Sequence, residues 1–153
     1  PLAKLTQLER LRLYGNQLTD VGALAKLTQL EELYLTGNQL TDLSALEGLT
    51  KLKSLILSGN NQLTDVSALE GLTLLKKLYL SYNQLTDASP LSKLTQLEAL
   101  YLSNNQLTDV SALMGLTKLT HLDLGNNPNL TKAQIDKLQK ALPKCKISHN
   151  AKK

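Results

Sequence analysis

Apolar residues recur along this chain in one fixed arrangement, Leu-x-x-Leu-x-Leu-x-x-Asn-(x)-x-Leu-Thr. It opens at Leu8, Leu30, Leu52, Leu75, Leu97 and Leu119, in steps of 22, 22, 23, 22 and 22 residues. A period of this length predicts a solenoid in which each repeat is one short supersecondary unit. Within Glu32-Leu33-Tyr34-Leu35-Thr36 the side chains alternate, the mark of a half-buried strand. Leu33 and Leu35 then face inward, and Glu32, Tyr34 and Thr36 face outward. Gly37-Asn38 turns the chain. An asparagine returns at this place as Asn16, Asn38, Asn60, Asn83, Asn105 and Asn127. Its amide can bond nearby backbone groups. Stacked once per repeat, these amides are expected to form a ladder that satisfies N–H and C=O groups inside the coil.

The return half of each repeat carries Thr-Asp, with the acids at Asp20, Asp42, Asp65, Asp87 and Asp109. An aspartate there is expected to cap a short helix through the free N–H groups of its first turn. The few residues that follow, such as Ser44-Ala45-Leu46, allow one or two turns of 3₁₀ helix. Ala45 and Leu46 should pack inward. Consecutive strands should stack in parallel, and the bulkier helical side should curve the stack with the sheet on its concave face. Asn60-Asn61-Gln62-Leu63 and Asn127-Pro128-Asn129-Leu130 each hold one extra residue, a predicted bulge.

After Leu130 the period lengthens. Thr131-Lys-Ala-Gln134 has capping-box spacing, with Thr131 as N-cap. Ala133, Ile135, Leu138, Ala141 and Leu142 form a helical apolar stripe, and Pro143 stops it. Lys144-Cys145-Lys146-Ile147 alternates again. Cys145 and Ile147 lie 23 residues after Leu122 and Leu124, which predicts a seventh strand with both facing in. A Lys-rich outer face suits a capping unit.

The repeat, with its Leu-Thr-Asp-Val-Ser-Ala-Leu-x-Gly-Leu-Thr return segment, resembles the leucine-rich-repeat family, and within it the bacterial internalin-like class of short repeats. The resemblance covers Pro1 to Ile147. It implies an α/β fold: a right-handed solenoid of about six repeats plus a C-terminal helix-strand cap. It also implies that another protein binds on the concave face. The expected layout is a single domain, with repeats over 1–130, a cap over 131–148 and a disordered tail over 149–153. Internalins carry a helical N-terminal cap that this sequence does not show. Pro1-Leu-Ala-Lys-Leu-Thr-Gln-Leu8 instead matches Pro90-Leu-Ser-Lys-Leu-Thr-Gln-Leu97, so the chain is expected to start in mid-repeat. Its first strand would be an open edge, which invites self-association.

Composition sharpens this picture at three points. The 153 residues include no Phe and no Trp, so the core is aliphatic and the five tyrosines need another explanation. The net charge of +4 is uneven. The last 25 residues hold seven lysines against Asp136, leaving the rest of the chain near −2. A basic tail without aromatic platforms or an Arg-rich stripe reads as a solvated end and not as a nucleic-acid site. Cys145 is the sole cysteine, which excludes an internal disulfide and reads as a buried small hydrophobe. No apolar run is long enough to span a bilayer.

The outward strand positions form three columns. The first runs Arg10, Glu32, Ser54, Lys77, Ala99, His121 and Lys144. The second runs Arg12, Tyr34, Ile56, Tyr79, Tyr101, Asp123 and Lys146, and the third Tyr14, Thr36, Ser58, Ser81, Ser103, Gly125 and Ser148. Four of the five tyrosines fall here, with Tyr82 on the rim. Tyr34, Ile56, Tyr79 and Tyr101 should make a continuous band of contact surface with polar tips. Tyrosine is also a good strand residue, and stacking across strands would stabilise the sheet by itself. Basic residues at both ends of the band point to a protein partner with an apolar centre and acidic flanks. The candidate contact residues are Arg10, Arg12, Tyr14, Glu32, Tyr34, Ile56, Lys77, Tyr79, Tyr101, His121 and Asp123. His121 and Asp123 are two metal-type ligands without a third, so no metal or other cofactor is assigned. They also lack an oxyanion pocket to serve Ser81 or Ser103 as a nucleophile, so no enzyme activity is assigned. The expected function is a non-catalytic binding module. The competing reading is a structural or engineered scaffold without a dedicated partner, but the variation of the outward columns favours the first.

Overall fold

In the computed structural model, which describes residues 2–152, every repeat makes one turn of a right-handed solenoid. Each contributes a three-residue strand: β1 (Arg10–Arg12), β2 (Glu32–Tyr34), β3 (Ser54–Ile56), β4 (Lys77–Tyr79), β5 (Ala99–Tyr101) and β6 (His121–Asp123). With β7 (Lys146–Ser148) they form one parallel sheet in chain order. Equivalent positions pair throughout the repeats, as in Leu11–Leu33–Leu55–Leu78–Leu100–Leu122. The central leucine of β2 to β6 is at most 1% exposed. Burying one such side chain contributes about 1.5–3 kcal/mol.

The opposite face carries short 3₁₀ turns: Gly22–Leu24, Ser44–Leu46, Ser67–Leu69, Ser89–Leu91 and Ser111–Leu113, with a further one at Leu2–Lys4. The repeated aspartates close five of these turns. Asp20, Asp42, Asp65, Asp87 and Asp109 each accept, through Oδ1, the N–H two residues on, at 2.6–2.9 Å. Each acid sits one residue ahead of the N-cap position, so it binds the first N–H of its turn as an Asx turn does.

The asparagine ladder is present and is nearly complete. Asn38, Asn60, Asn105 and Asn127 each accept through Oδ1 from the leucine N–H 20 residues earlier, at 3.0–3.1 Å. Each Nδ2 donates to carbonyls of its own and the preceding repeat, as Asn105 does to Leu102 and Leu80 at 3.0 Å. Asn83 makes the Nδ2 bonds, but its buried Oδ1 has no partner among the described residues. Leu63, whose N–H the pattern assigns to it, follows the extra residue in Asn60-Asn61-Gln62-Leu63. The insertion, with Asn61 at φ +50°, displaces that donor and breaks one rung. The residue before each ladder asparagine has positive φ: Gly15, Gly37, Gly59, Tyr82, Asn104 and Asn126. Glycine and asparagine suit that conformation; Tyr82, at φ +59°, does not.

The C-terminal unit departs from expectation in its register. The helix α1 (Lys132–Ala141) has the expected capping box between Thr131 and Gln134. Ile135, Leu138 and Leu142 are buried, whereas Ala133 and Ala141 are exposed and do not join the stripe. A ten-residue helix and its turn use two residues more than the 23-residue step anticipates. Cys145 is still in that turn, its N–H bonded to the Leu142 carbonyl at 3.1 Å. Ile147 therefore pairs with Leu122 and not Leu124, and Lys146 pairs with His121. The slip is even, so Cys145 remains buried and Ile147 half-buried. Lys144 lies before the strand and leaves the concave columns, Lys146 moves to the first and Ser148 to the second. Residues 149–152, expected as a loose tail, make specific contacts: Asn150 Oδ1 accepts from Asn126 N–H at 2.7 Å, and the Lys152 carbonyl from Lys132 N–H at 3.3 Å. Pro1 and Lys153 lie outside the described residues. At the other end Leu8, Leu11 and Leu13 are only half-buried, and Leu5 is 48% exposed. No helix among the described residues is long and apolar enough to cross a membrane.

Candidate protein-binding face

Because the side chains of a strand alternate, the two residues flanking each central leucine stand on the concave surface. Pairing then sets them in rows. The first row is Arg10, Glu32, Ser54, Lys77, Ala99, His121 and Lys146, and the second Arg12, Tyr34, Ile56, Tyr79, Tyr101, Asp123 and Ser148. The tyrosine band is thus continuous from β2 to β5. Tyr79 and Tyr101 stack with ring centroids 4.4 Å apart and planes 15° from parallel. Such a pair is worth about 0.5–1.5 kcal/mol beyond its buried area. Burial, and then the adjacent Tyr101 and Tyr34, hold the Tyr79 hydroxyl above the ordinary phenol pKa. It therefore stays a neutral hydrogen-bonding group at physiological pH.

At the β1 end the charges are already engaged. The Arg10 guanidinium meets Glu32 at 3.4 Å, and Arg12 lies over the Tyr34 ring, 5.1 Å from its centroid. Tyr34 also donates its hydroxyl to Glu32 at 3.5 Å. At the β6 end Asp123 accepts the Gly125 N–H at 3.0 Å, and His121 Nδ1 lies 3.0 Å from the Thr120 hydroxyl. Between the two ends lies a shallow depression of about 430 Å³, bounded by Glu32, Tyr34, Ile56, Lys77 and Tyr79 together with Ser54. Of the candidate residues, these five line one site and Tyr101 joins it by stacking. Arg10 and Arg12 adjoin it through their partners. Tyr14, 59% exposed, lies at the rim, and His121 and Asp123 lie beyond Tyr101.

Lys53, Lys76 and Glu98 also border the depression, although the three columns omit them. They occupy the position just after the first leucine of the repeat, one residue before each strand. The repeated charge at that position, from Glu9 and Glu31 to Glu98, is the signal that marks it. Ser81 and Ser103, expected outward, are buried, and Ser103 donates its hydroxyl to Ser81 at 2.9 Å. Those two hydroxyls are tied to each other and do not address His121. No group of three His, Cys, Asp or Glu among the described residues is placed to hold a metal.

The model for leucine-rich repeats (2 copies) matches five overlapping stretches: residues 6–48, 28–71, 50–93, 73–113 and 95–140. Among solved structures, an internalin C2 from Listeria monocytogenes is 37% identical and superposes with a TM-score of 0.90, covering 99% of this chain and 67% of its own. A Leptospira interrogans leucine-rich-repeat protein is 33% identical with a TM-score of 0.88, covering 96% of this chain and 38% of its own. A second Listeria monocytogenes internalin (inlF) is 27% identical with a TM-score of 0.72, covering 99% of this chain and 51% of its own. The chain thus spans between 38% and 67% of these relatives. The curated proteins contain no match.

Proposed function

The chain belongs to the leucine-rich-repeat family, in its bacterial internalin-like class, and from that premise we propose that it is a non-catalytic module that binds another protein on its concave face. The observation that carries this reading is the tyrosine band: Tyr79 stacked on Tyr101, in register with Ile56 and Tyr34. Four bulky, half-buried side chains side by side on an open sheet form a continuous, partly accessible apolar surface of the kind that supports a contact site. The leucines and asparagines repeat because the coil needs them. The outward rows vary from strand to strand, which supports a dedicated partner over a plain scaffold. Tyr34, Ile56, Tyr79 and Tyr101 are the anchors. Arg10, Arg12, Tyr14, Glu32, Lys77, His121 and Asp123 form the polar surround. Replacing Tyr34, Tyr79 and Tyr101 together by Ala should abolish partner capture and leave the circular dichroism unchanged. Retained capture would overturn the reading.

A further inference from the structure

The ion pairs on the concave face leave two central cations unpaired among the described residues, Lys76 and Lys77, and only Lys77 lacks an acidic residue at the equivalent position of both neighbouring repeats. Arg10 is taken by Glu32, and Lys53 by Glu31 at 3.6 Å. Lys76 forms no ion pair, but Glu98 holds the equivalent position in the next repeat, one residue before β5, where its N–H bonds the Lys76 carbonyl. Lys77 has no such neighbour. Its partners across β3 and β5 are Ser54 and Ala99, both small and neutral, and it enters no ion pair among the described residues. It is exposed and stands two residues from Tyr79 on the same face of β4, about 7 Å along the strand. Lys77 thus sets a free positive charge beside the centre of the tyrosine band. Of the basic ends that the sequence suggests, Arg10 and Arg12 are engaged and Lys144 is off the sheet, while Lys146, exposed and in no ion pair among the described residues, stays on the concave face two strands beyond Tyr101.

Resting on the concave-face reading, we infer that Lys77 docks a carboxylate of the protein partner beside an apolar side chain laid on the Tyr79–Tyr101 pair. The depression between Ser54, Ile56, Lys77 and Tyr79 is open and large enough to take both groups. A lysine ammonium is a compact point charge that accepts Asp or Glu without a fixed fork geometry. The partner's acid stands alone and not in a run. Glu31, Glu32, Glu98 and Asp123 interrupt the basic residues of the same surface, so it offers no continuous positive track for a polyanion such as a nucleic-acid backbone.

The test is selection of a displayed random 12-residue peptide library on the immobilised full chain, followed by affinity measurement on the enriched peptides. Asp or Glu should be enriched within a few residues of an aromatic or large aliphatic side chain. Lys77→Glu should weaken those peptides at least tenfold. Lys93→Glu, an exposed charge on the helical side, should leave them within twofold. Exchanging the peptide acid for its amide should weaken binding to the parent protein but not to Lys77→Met. Peptides that need Tyr79 and Tyr101 but ignore Lys77 would overturn this inference alone. No enrichment, or binding indifferent to the tyrosines as well, would overturn the concave-face reading itself.

Discussion

Deleting Asn61 should stabilise this protein, although it removes a residue from the middle of the chain. Four rungs of the asparagine ladder join an Oδ1 to a leucine N–H one repeat earlier at 3.0–3.1 Å. The fifth lacks that bond, leaving Asn83 Oδ1 buried and unpartnered behind the extra residue. A buried polar atom without a partner costs about 1–3 kcal/mol. Deletion restores the 22-residue step, returns the Leu63 N–H to Asn83 and removes a non-glycine residue from φ +50°. It also forfeits the Asn61 N–H bond to the Tyr82 carbonyl, a long 3.3 Å contact, and the Gln84 amide bond to the Asn61 carbonyl, which lies on the surface. The net gain should be about 1–2 kcal/mol. For a chain of this size that raises Tm by roughly 2–8 °C. Urea unfolding followed by circular dichroism measures it, compared at equal m-value. A paired control isolates the missing bond. Asn105→Ala should cost about 1 kcal/mol more than Asn83→Ala, since the Nδ2 bonds of the two match and only Asn105 uses its Oδ1. A deletion that leaves the midpoint unchanged or lower, with equal costs for the two alanines, would refute the reasoning.

Three other outcomes follow from the same geometry. Tyr82→Gly should raise stability by about 1 kcal/mol, because the position has left-handed φ and three other repeats use glycine there; urea titration reads this, and destabilisation would contradict it. The carboxyls of Asp42 and Asp109 are held below the usual range, first by the N–H of Ser44 and Ser111 and then by their hydroxyls. Their folded pKa is therefore below the unfolded one, so this stability is present above about pH 4 and is lost as pH falls through the folded value. The urea midpoint should drop on acidification, and less steeply in Asp42→Asn/Asp109→Asn; a profile identical to the parent's would refute the role. Burial pushes the Cys145 thiol pKa up, so it should resist a thiol reagent at neutral pH until the chain unfolds; rapid labelling of the native protein would contradict its placement.

The repeat made the sheet, the 3₁₀ turns, the asparagine ladder and the tyrosine row legible, because in a solenoid each position recurs beside its own copy. What it hid was whatever breaks that recurrence. The insertion at Asn61 is visible as a 23-residue step, but the orphaned Asn83 oxygen appears only once the coil closes. The strand after α1 could not be aligned by counting, since helix rise and turn length set its register. That slip moved Lys146 from beside Asp123 to beside His121. Charge at the site was the least legible. Arg10 and Arg12 read as free cations in the sequence, and only side-chain geometry shows them engaged by Glu32 and Tyr34. Lys77 gained its distinction the same way, from what its neighbours on β3 and β5 lack.

The central claim is that the partner lies on the tyrosine band, and site-specific photocrosslinking tests it most directly. A photoreactive phenylalanine analogue would replace Tyr34 or Tyr101 on the concave face, and Ser67 or Ser111 on the 3₁₀ side. Each variant would be exposed to extract of the source organism. Discrete partner adducts from Tyr34 and Tyr101, absent from Ser67 and Ser111, are the predicted result. The same adducts formed from the 3₁₀ side and absent from the concave face would contradict the account.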